Sequence, residues 1–289
     1  MPLMNKPIKE FFRRFTGEVP QIVYHYCGPD AFVGIVKSMQ IWATSAHCLN
    51  DLSERTFASE LIQDTAREIA VEYGFDSDSF EATPAAVLLQ RVEESISYVS
   101  CFSEHPDLLS QWRAYAPPMG GFAVGIRTSS LASGGDWLFG RCEYDRSRQI
   151  DAAKSILKVH ASLLDPKCSL DELIDTSDTG VSSLIAALLT LVPLLKHPGF
   201  REEAEWRVVR GPVESEDHPT EYRTARSSVI PFQRLDLTSE QGGVPIAEVI
   251  IGPSPRSRGL TYGATRLLLN HHGLESCELR TSDIPYRGW

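Results

Sequence analysis

No apolar run in this 289-residue chain approaches the roughly 20 residues that a membrane-crossing helix needs. The longest, Ala186 to Leu195, is interrupted by Thr190 and Pro193, so no membrane partner is expected. The N-terminus has basic residues but no apolar stretch of the kind a secretion leader carries. Instead, Ile8, Phe11, Phe12 and Phe15 fall on one side of a short amphipathic helix within residues 1–20, expected to dock on the body. The six cysteines (Cys27, Cys48, Cys101, Cys142, Cys168 and Cys277) form no CxxC pair and sit mostly in apolar runs. That usage predicts free thiols in a reducing cytoplasm, not a disulfide framework.

Basic residues are also in deficit. Twenty-eight Lys and Arg against 38 Asp and Glu leave a formal charge of −10, which repels phosphate backbones. Nonspecific coating of nucleic acid is therefore not the expectation, while a single nucleotide, or a few bases in a local cleft, remains open. There is no Walker loop, no GxGxxG after a strand, no HExxH, no His/Cys zinc spacing and no GxSxG elbow. No metal ligands are expected from these patterns. What is present is ordinary for a folded protein: with 42% hydrophobic residues the chain can bury a sizeable core.

The pattern along the chain alternates strands with helices. Gln21 to Tyr26 is β-branched and aromatic and stops at Gly28-Pro29, which opens a helix through Lys37. A strand over 41–45, a long helix to about Tyr73, a helix near 85–94, a strand over 96–102 and a short helix over 108–115 follow. Strands are expected at 121–126, 137–144, 205–210, 227–235, 246–251 and 275–279, with a late helix over about 260–271. Residues 148–196 read as helical in two or more pieces, broken near Asp165-Pro166. The organisation predicted is one α+β domain over 21–289: a mixed, mainly antiparallel central sheet, flanking helices, and a helical insertion at about 146–200.

Four polar clusters sit at strand ends, where loops on a rigid scaffold carry chemistry. The first is Tyr24-His25-Tyr26. His25 faces opposite to its two tyrosines, either as a structural histidine or as a ribose partner or general base. The second is Trp42, Ser45, Asn50, Asp51 and Glu54. Capping of the following helix explains part of it, and a ligand site can coexist with capping. The third is Ser100, Ser103, Ser110, Gln111, Trp112, Arg113 and Tyr115, followed by Gly120-Gly121. Gln111 and Tyr115 share one helix face; core packing explains Trp112 better than Gln111. The fourth is Arg201, Glu202, Glu203, Glu205, Trp206 and Arg207, either a structural ion pair or a carboxylate poised for catalysis. Gly252-Pro253-Ser254 reads as a plain turn or as a phosphate cradle.

Taken together, these stretches resemble a known family. The run YHYC at 24–27, IWATSA at 41–46, LND-x-x-E at 49–54, SCFSE through SQW-x-AY to GGFAVGI at 100–126, F-x-E-E-x-EWR at 200–207, AEVIIGP at 247–253 and IPYR at 284–287 are similar to the bacterial domain-of-unknown-function family 2971. That family is Abi-like and linked to phage defence. The likeness runs from about Val23 to Arg287. A weaker resemblance is to ADP-ribosyltransferases. It implies that His25 holds a ribose of NAD, that Glu205 acts at the reacting ribose, and that Trp42, Ser45 or Tyr115 fills the middle element. It also implies an ADP-ribosyltransferase-like sheet.

The chemistry so implied is cleavage of the nicotinamide–ribose bond of NAD, with a nucleic acid or a protein as acceptor. Positive charge develops on the sugar, and a fixed carboxylate stabilises that state over the ground state. Tyr26, Ser103, Gln111, Trp112 and the Trp42 group would bind substrate, and Arg207 or Arg113 would meet the pyrophosphate. Two other readings compete: a metal-dependent nuclease using Asp51, Glu54 and Glu205, and a noncatalytic sensor binding a nucleotide or a phage protein in the same cleft. All of them weaken together unless His25, Gln111, Asn50 and Glu205 line one cleft.

Overall fold

The computed structural model describes residues 6–49, 52–76, 80–81, 83–116, 120–131, 137–159, 165, 179–211, 219–225, 228–237, 243–253 and 258–285. Helix α1 (Lys6–Thr16) precedes β1 (Ile22–Cys27). Pro29 then begins α2 (Pro29–Ser38), where its missing N–H removes no helical bond. That helix stops at Met39, whose left-handed backbone (φ 50°) lets its N–H donate to Ile35 O at 2.8 Å. Next come β2 (Gln40–Ser45), α3 (Leu52–Glu72) and α4 (Pro84–Glu94), the last capped by the Thr83 hydroxyl, which accepts from Ala86 N. The chain continues through β3 (Tyr98–Ser103), α5 (Leu109–Tyr115), β4 (Phe122–Arg127), β5 (Leu138–Arg141), α6 (Arg146–Leu157) and α7 (Thr179–Leu191). It closes with β6 (Glu205–Arg210), β7 (Glu221–Thr224), β8 (Val229–Asp236), β9 (Ile246–Ile251), α8 (Arg258–His271) and β10 (Glu278–Thr281).

The strands form one sheet in the order β10-β9-β4-β1-β3-β2-β8-β7, with β6 branching from β3 and β5 pairing beyond it. Only β9–β10 is parallel among the pairs described. The α+β class with a mainly antiparallel sheet is therefore as expected. Helices α6 and α7 leave from β5 and return to β6, two strands that pair with each other.

These helices do not form a core of their own. Ile156 and Leu188 join Leu61 and Ile69 of α3, Leu88 of α4 and Phe12 of α1, and Val209 reaches them from β6. Fully burying one such side chain is worth roughly 1.5–3 kcal/mol. The neighbour of Val209, Val208, points to the opposite face, as strand alternation requires. There it joins Val23, Val124, Trp206 and Val249 beneath Phe32, Ile35 and Val36 of α2 and Leu269 of α8. A third, smaller cluster packs Trp112 of α5 on Tyr24, Tyr26, Ala123 and Ile250.

Two glycines admit α5 to the sheet. A Cβ on Gly121 would lie 2.6 Å from Ala116 Cβ, and one on Gly252 would lie 2.8 Å from the Trp112 ring. Gly252 N also donates to Gly121 O at 2.8 Å, so the Gly252-Pro253 turn serves packing and does not offer that N–H to a phosphate. Three strands differ from expectation, among them β5, which fills only Leu138–Arg141 of the expected 137–144. β7 is a polar edge strand with no apolar pattern to announce it, and β10 begins three residues later than expected. The displaced residues fold back on α8, with Leu274 N donating to Leu269 O at 2.9 Å.

Candidate functional site

The site lies where the sheet parts. β1 pairs with β4 along its whole length but with β3 only at Tyr24–Ser103. On that side of β3, Tyr98 and Val99 pair with β2 instead, which leaves the middle of β3 without a strand neighbour. His25 fills part of the gap: its Nδ1 lies 2.9 Å from Cys101 O. A carbonyl can only accept, so Nδ1 carries the proton and neutral His25 presents Nε2 as an acceptor. Burial lowers its pKa, partly offset by the bond to Cys101, which keeps the ring neutral near pH 7.

A shallow cleft of about 40 Å³ opens at this split, lined by Tyr24, His25, Tyr26, Cys101, Phe102, Gln111, Tyr115, Glu203 and Glu205. The register places Glu205 opposite Ser103, and Ser103 opposite Tyr24. Glu205 therefore shares the tyrosines' face, and His25 and Phe102 belong to the other pleat. They reach the same cleft because the strands separate there. The ring centroids of His25 and Phe102 are 5.7 Å apart.

On the α5 side, polar capacity is open. Gln111 is 7% exposed, and its amide makes no hydrogen bond among the described residues. Tyr115, one helical turn on, is 38% exposed. Burial of its ring, with Cys101, Glu205 and Glu203 nearby, pushes its phenol above the usual range and keeps it protonated. Tyr26 is different: its hydroxyl donates to His105 O at 2.7 Å and accepts from Leu108 N at 3.0 Å, which fixes the entry to α5.

The β6 side is saturated. Glu205 is 5% exposed; Arg207 Nε and Nη2 each donate to it at 2.9 Å, and Lys196 Nζ at 2.5 Å. Burial by itself raises its pKa, but Arg207 and Lys196 outweigh this and hold it at about 2. Arg207 Nη1 also donates to Pro193 O at 2.7 Å, tying the ion cluster to the turn after α7. Lys196 further pairs with Glu203. Ala204, between the two glutamates, has φ 42°. An L-residue there costs roughly 1–2 kcal/mol, and the turn brings both carboxylates onto one ammonium. Beside them, burial and Glu205 push the Cys101 thiol well above its usual range, so it is not a thiolate.

Several expected site residues lie elsewhere or do other work. Trp42 is exposed and stacks on Phe232 at 4.4 Å, away from the cleft. Ser45 is buried, its hydroxyl without a partner, and does not line the cleft. Trp112 is buried, its Nε1 donating to Asp107 Oδ1 at 2.6 Å, so it offers no stacking face. Asp107 also accepts from Ser282 Oγ at 2.7 Å, which joins the SQW helix to the closing segment. Ser103 Oγ donates to Glu203 O at 2.7 Å and accepts from His105 N, a structural role. Arg207 is committed to Glu205 and Pro193, so it is not placed to meet a pyrophosphate. Asn50 and Asp51 lie outside the described residues; Glu54 is on α3, its side chain likewise outside them. The nuclease reading loses its late carboxylate, because Glu205 is already paired to two cations. Among the described residues no group of three His, Cys, Asp or Glu could hold a metal.

Sequence reasoning did not single out Lys196 or Cys101. Lys196 lies nine residues before Glu205, beyond any local spacing rule. Cys101 looked like one more strand cysteine, though its alternation with Ser100 and Phe102 put it on the Glu205 face.

Gln111, Glu203, Glu205 and Arg207 all fall within one segment with known relatives. Residues 111–208 match the family described as Protein of unknown function (DUF2971). The DUF2971 segment runs from α5 through the helical pieces into β6, so it holds the α5 and β6 sides of the cleft; His25 lies before it. No curated protein and no solved structure matches the chain. Also among the described residues, no helix is long and apolar enough to cross a membrane, and Cys27, Cys48, Cys101, Cys142 and Cys277 are free thiols.

Proposed function

We propose that the cleft takes the ribose edge of NAD and that the protein cleaves the nicotinamide–ribose bond, as an ADP-ribosyltransferase or NAD-glycohydrolase of bacterial, cytoplasmic phage defence. The observation that carries this reading is the meeting of His25, Gln111, Tyr115 and two carboxylates, from distant stretches of chain, at one split in the sheet. A space of about 40 Å³ admits an edge of the substrate and leaves the rest lying across the surface. His25 Nε2 accepts from a ribose hydroxyl, and Gln111 supplies a donor and an acceptor beside it. Arg113, exposed on α5, replaces Arg207 as the residue that meets phosphate.

The carboxylate role moves as well. Positive charge developing on the sugar needs a carboxylate that the sugar can approach. Lys196 pairs with both carboxylates and Arg207 adds a second cation to Glu205, while the Glu203 side chain is the more accessible, 18% exposed against 7%. Glu203 is therefore the group assigned to the reacting ribose, with Glu205 holding Lys196 and Arg207 in place. The acceptor is water, a protein or a nucleic acid.

Incubation with NAD and chromatography of released nicotinamide tests this. Glu203→Gln should lower the rate on the order of 10²–10³-fold, as removal of one preorganised electrostatic group does, and His25→Ala should weaken NAD binding. Absence of both release and binding at millimolar NAD would overturn the reading. The saturation of Glu205 favours one alternative, a nucleotide sensor without turnover. It would show as a ligand-dependent rise in melting temperature with no nicotinamide formed.

A further inference from the structure

A second and larger cavity, of about 400 Å³, is lined by Arg207 and shares no lining residue with the cleft. It falls in the size range of small-molecule sites, and nothing in the proposed NAD chemistry uses it. One wall is aliphatic: Leu189 of α7 with Val192 and Pro193 of the turn that follows. The lining also carries hydroxyls, from Thr56 and Ser59 of α3 and from Ser97 just before β3. Ser97 is 5% exposed, and its hydroxyl has no hydrogen-bond partner among the described residues. That oxygen is not among the solvent-excluded ones, so water or a ligand in the cavity can complete it.

Charge decides the class of ligand. Arg207, at the inner end, is neutralised by Glu205 and presents no open field to an anion. Glu93 of α4 also lines the cavity and makes no ion pair among the described residues, and the His47 imidazole on the same lining donates from Nε2 to Ser95 O at 3.1 Å. An anion would be repelled there, and an ammonium would find both a counter-charge and hydroxyl acceptors.

We propose that this cavity binds a small amine, its ammonium held by Glu93 and the Ser59 and Ser97 hydroxyls, its hydrocarbon body against Leu189, Val192 and Pro193. The site is independent of the NAD reading and stands or falls without it.

Three molecules with one skeleton separate the possibilities: cyclohexylmethylamine, cyclohexylmethanol and cyclohexanecarboxylate, titrated into the full chain by ligand-observed NMR. The amine should bind at least tenfold more tightly than the alcohol, and the carboxylate should not bind. Glu93→Gln, at a partly exposed position that leaves folding intact, should remove that tenfold preference. Ser59→Trp should block the cavity, and Gln111→Ala, in the cleft, should leave amine binding unchanged. Equal binding of the three molecules, binding of none, or an amine preference that survives Glu93→Gln would each overturn the proposal.

Discussion

The two sides of the cleft are built on opposite principles. On β6, Glu205 meets Arg207 and Lys196 with all three groups buried, and the hydrogen-bonding capacity of the carboxylate is used within the protein. On β1 and α5, His25 keeps Nε2 open, and the Gln111 amide and Tyr115 phenol have no partner among the described residues. The first arrangement locks the turn after α7 to the sheet. The second is what a ligand needs, because polar groups already bonded to each other gain little by exchanging partners. The buried charges of Glu205, Arg207 and Lys196 thus mark the structural side, with Glu203 at its rim, and neutral polar groups mark the side that grips the ligand.

The largest effect that separates them is on stability. Glu205→Ala removes the carboxylate that Lys196 and Arg207 share in the interior, and breaking such a buried cluster costs about 3–5 kcal/mol. Chemical denaturation should show that loss, and a change below about 1 kcal/mol would mean the cluster is not structural.

Acid should reveal the same asymmetry. The folded pKa of Glu205, about 2, lies below its ordinary 4.5. Its contribution is therefore fully present above pH 4.5 and lost as pH falls through 2. The difference corresponds to about 3 kcal/mol, and the acid limb of a stability–pH curve should flatten in Glu205→Gln. His25 has the same sign at higher pH. Its lowered folded pKa means that stability held above about 6.5 declines as pH drops below it, because only the unfolded chain takes up that proton. His25→Gln should remove this part of the slope.

How much of this was legible follows from the range of the signals. β1, β4, β6 and β9 announce themselves by β-branched runs closed by Gly, Pro or polar residues, and α2 by Pro29 with Phe32, Ile35 and Val36. The polar edge strand β7 has no such pattern. In the site, Gln111 stood out because core packing does not explain an amide on that helix face, and His25 because it alternates against two tyrosines. Trp42 and Trp112 misled, since an aromatic beside polar residues looks the same whether it stacks on Phe232, fills a core or faces a ligand. The opposite pleats of His25 and Glu205 were implicit in strand alternation, but the single-pair contact of β1 with β3 is a long-range property that no local pattern carries. The partnership of Lys196 with Glu205 is long-range in the same way: it depends on where the helical insertion returns.

Smaller changes sharpen the picture. Gly252→Ala should cost about 1–3 kcal/mol by overpacking, since its Cβ would meet the Trp112 ring at 2.8 Å and push α5 away from the cleft. A melting temperature equal to that of the wild type would show that α5 yields freely. Arg234→Ala breaks an exposed pair with Glu221 at 2.6 Å, and thermal unfolding should move by less than about 1 kcal/mol, far below the effect at Glu205.

The most direct test measures Gln111→Ala twice, by thermal unfolding and by calorimetric titration with NAD. An amide that bonds nothing in the protein and serves a ligand should leave the melting temperature within a degree or two of wild type (about 0.5 kcal/mol or less) while NAD affinity falls at least tenfold. Unchanged NAD affinity, or a loss of stability comparable to that of Glu205→Ala, would contradict the division of labour between the two sides.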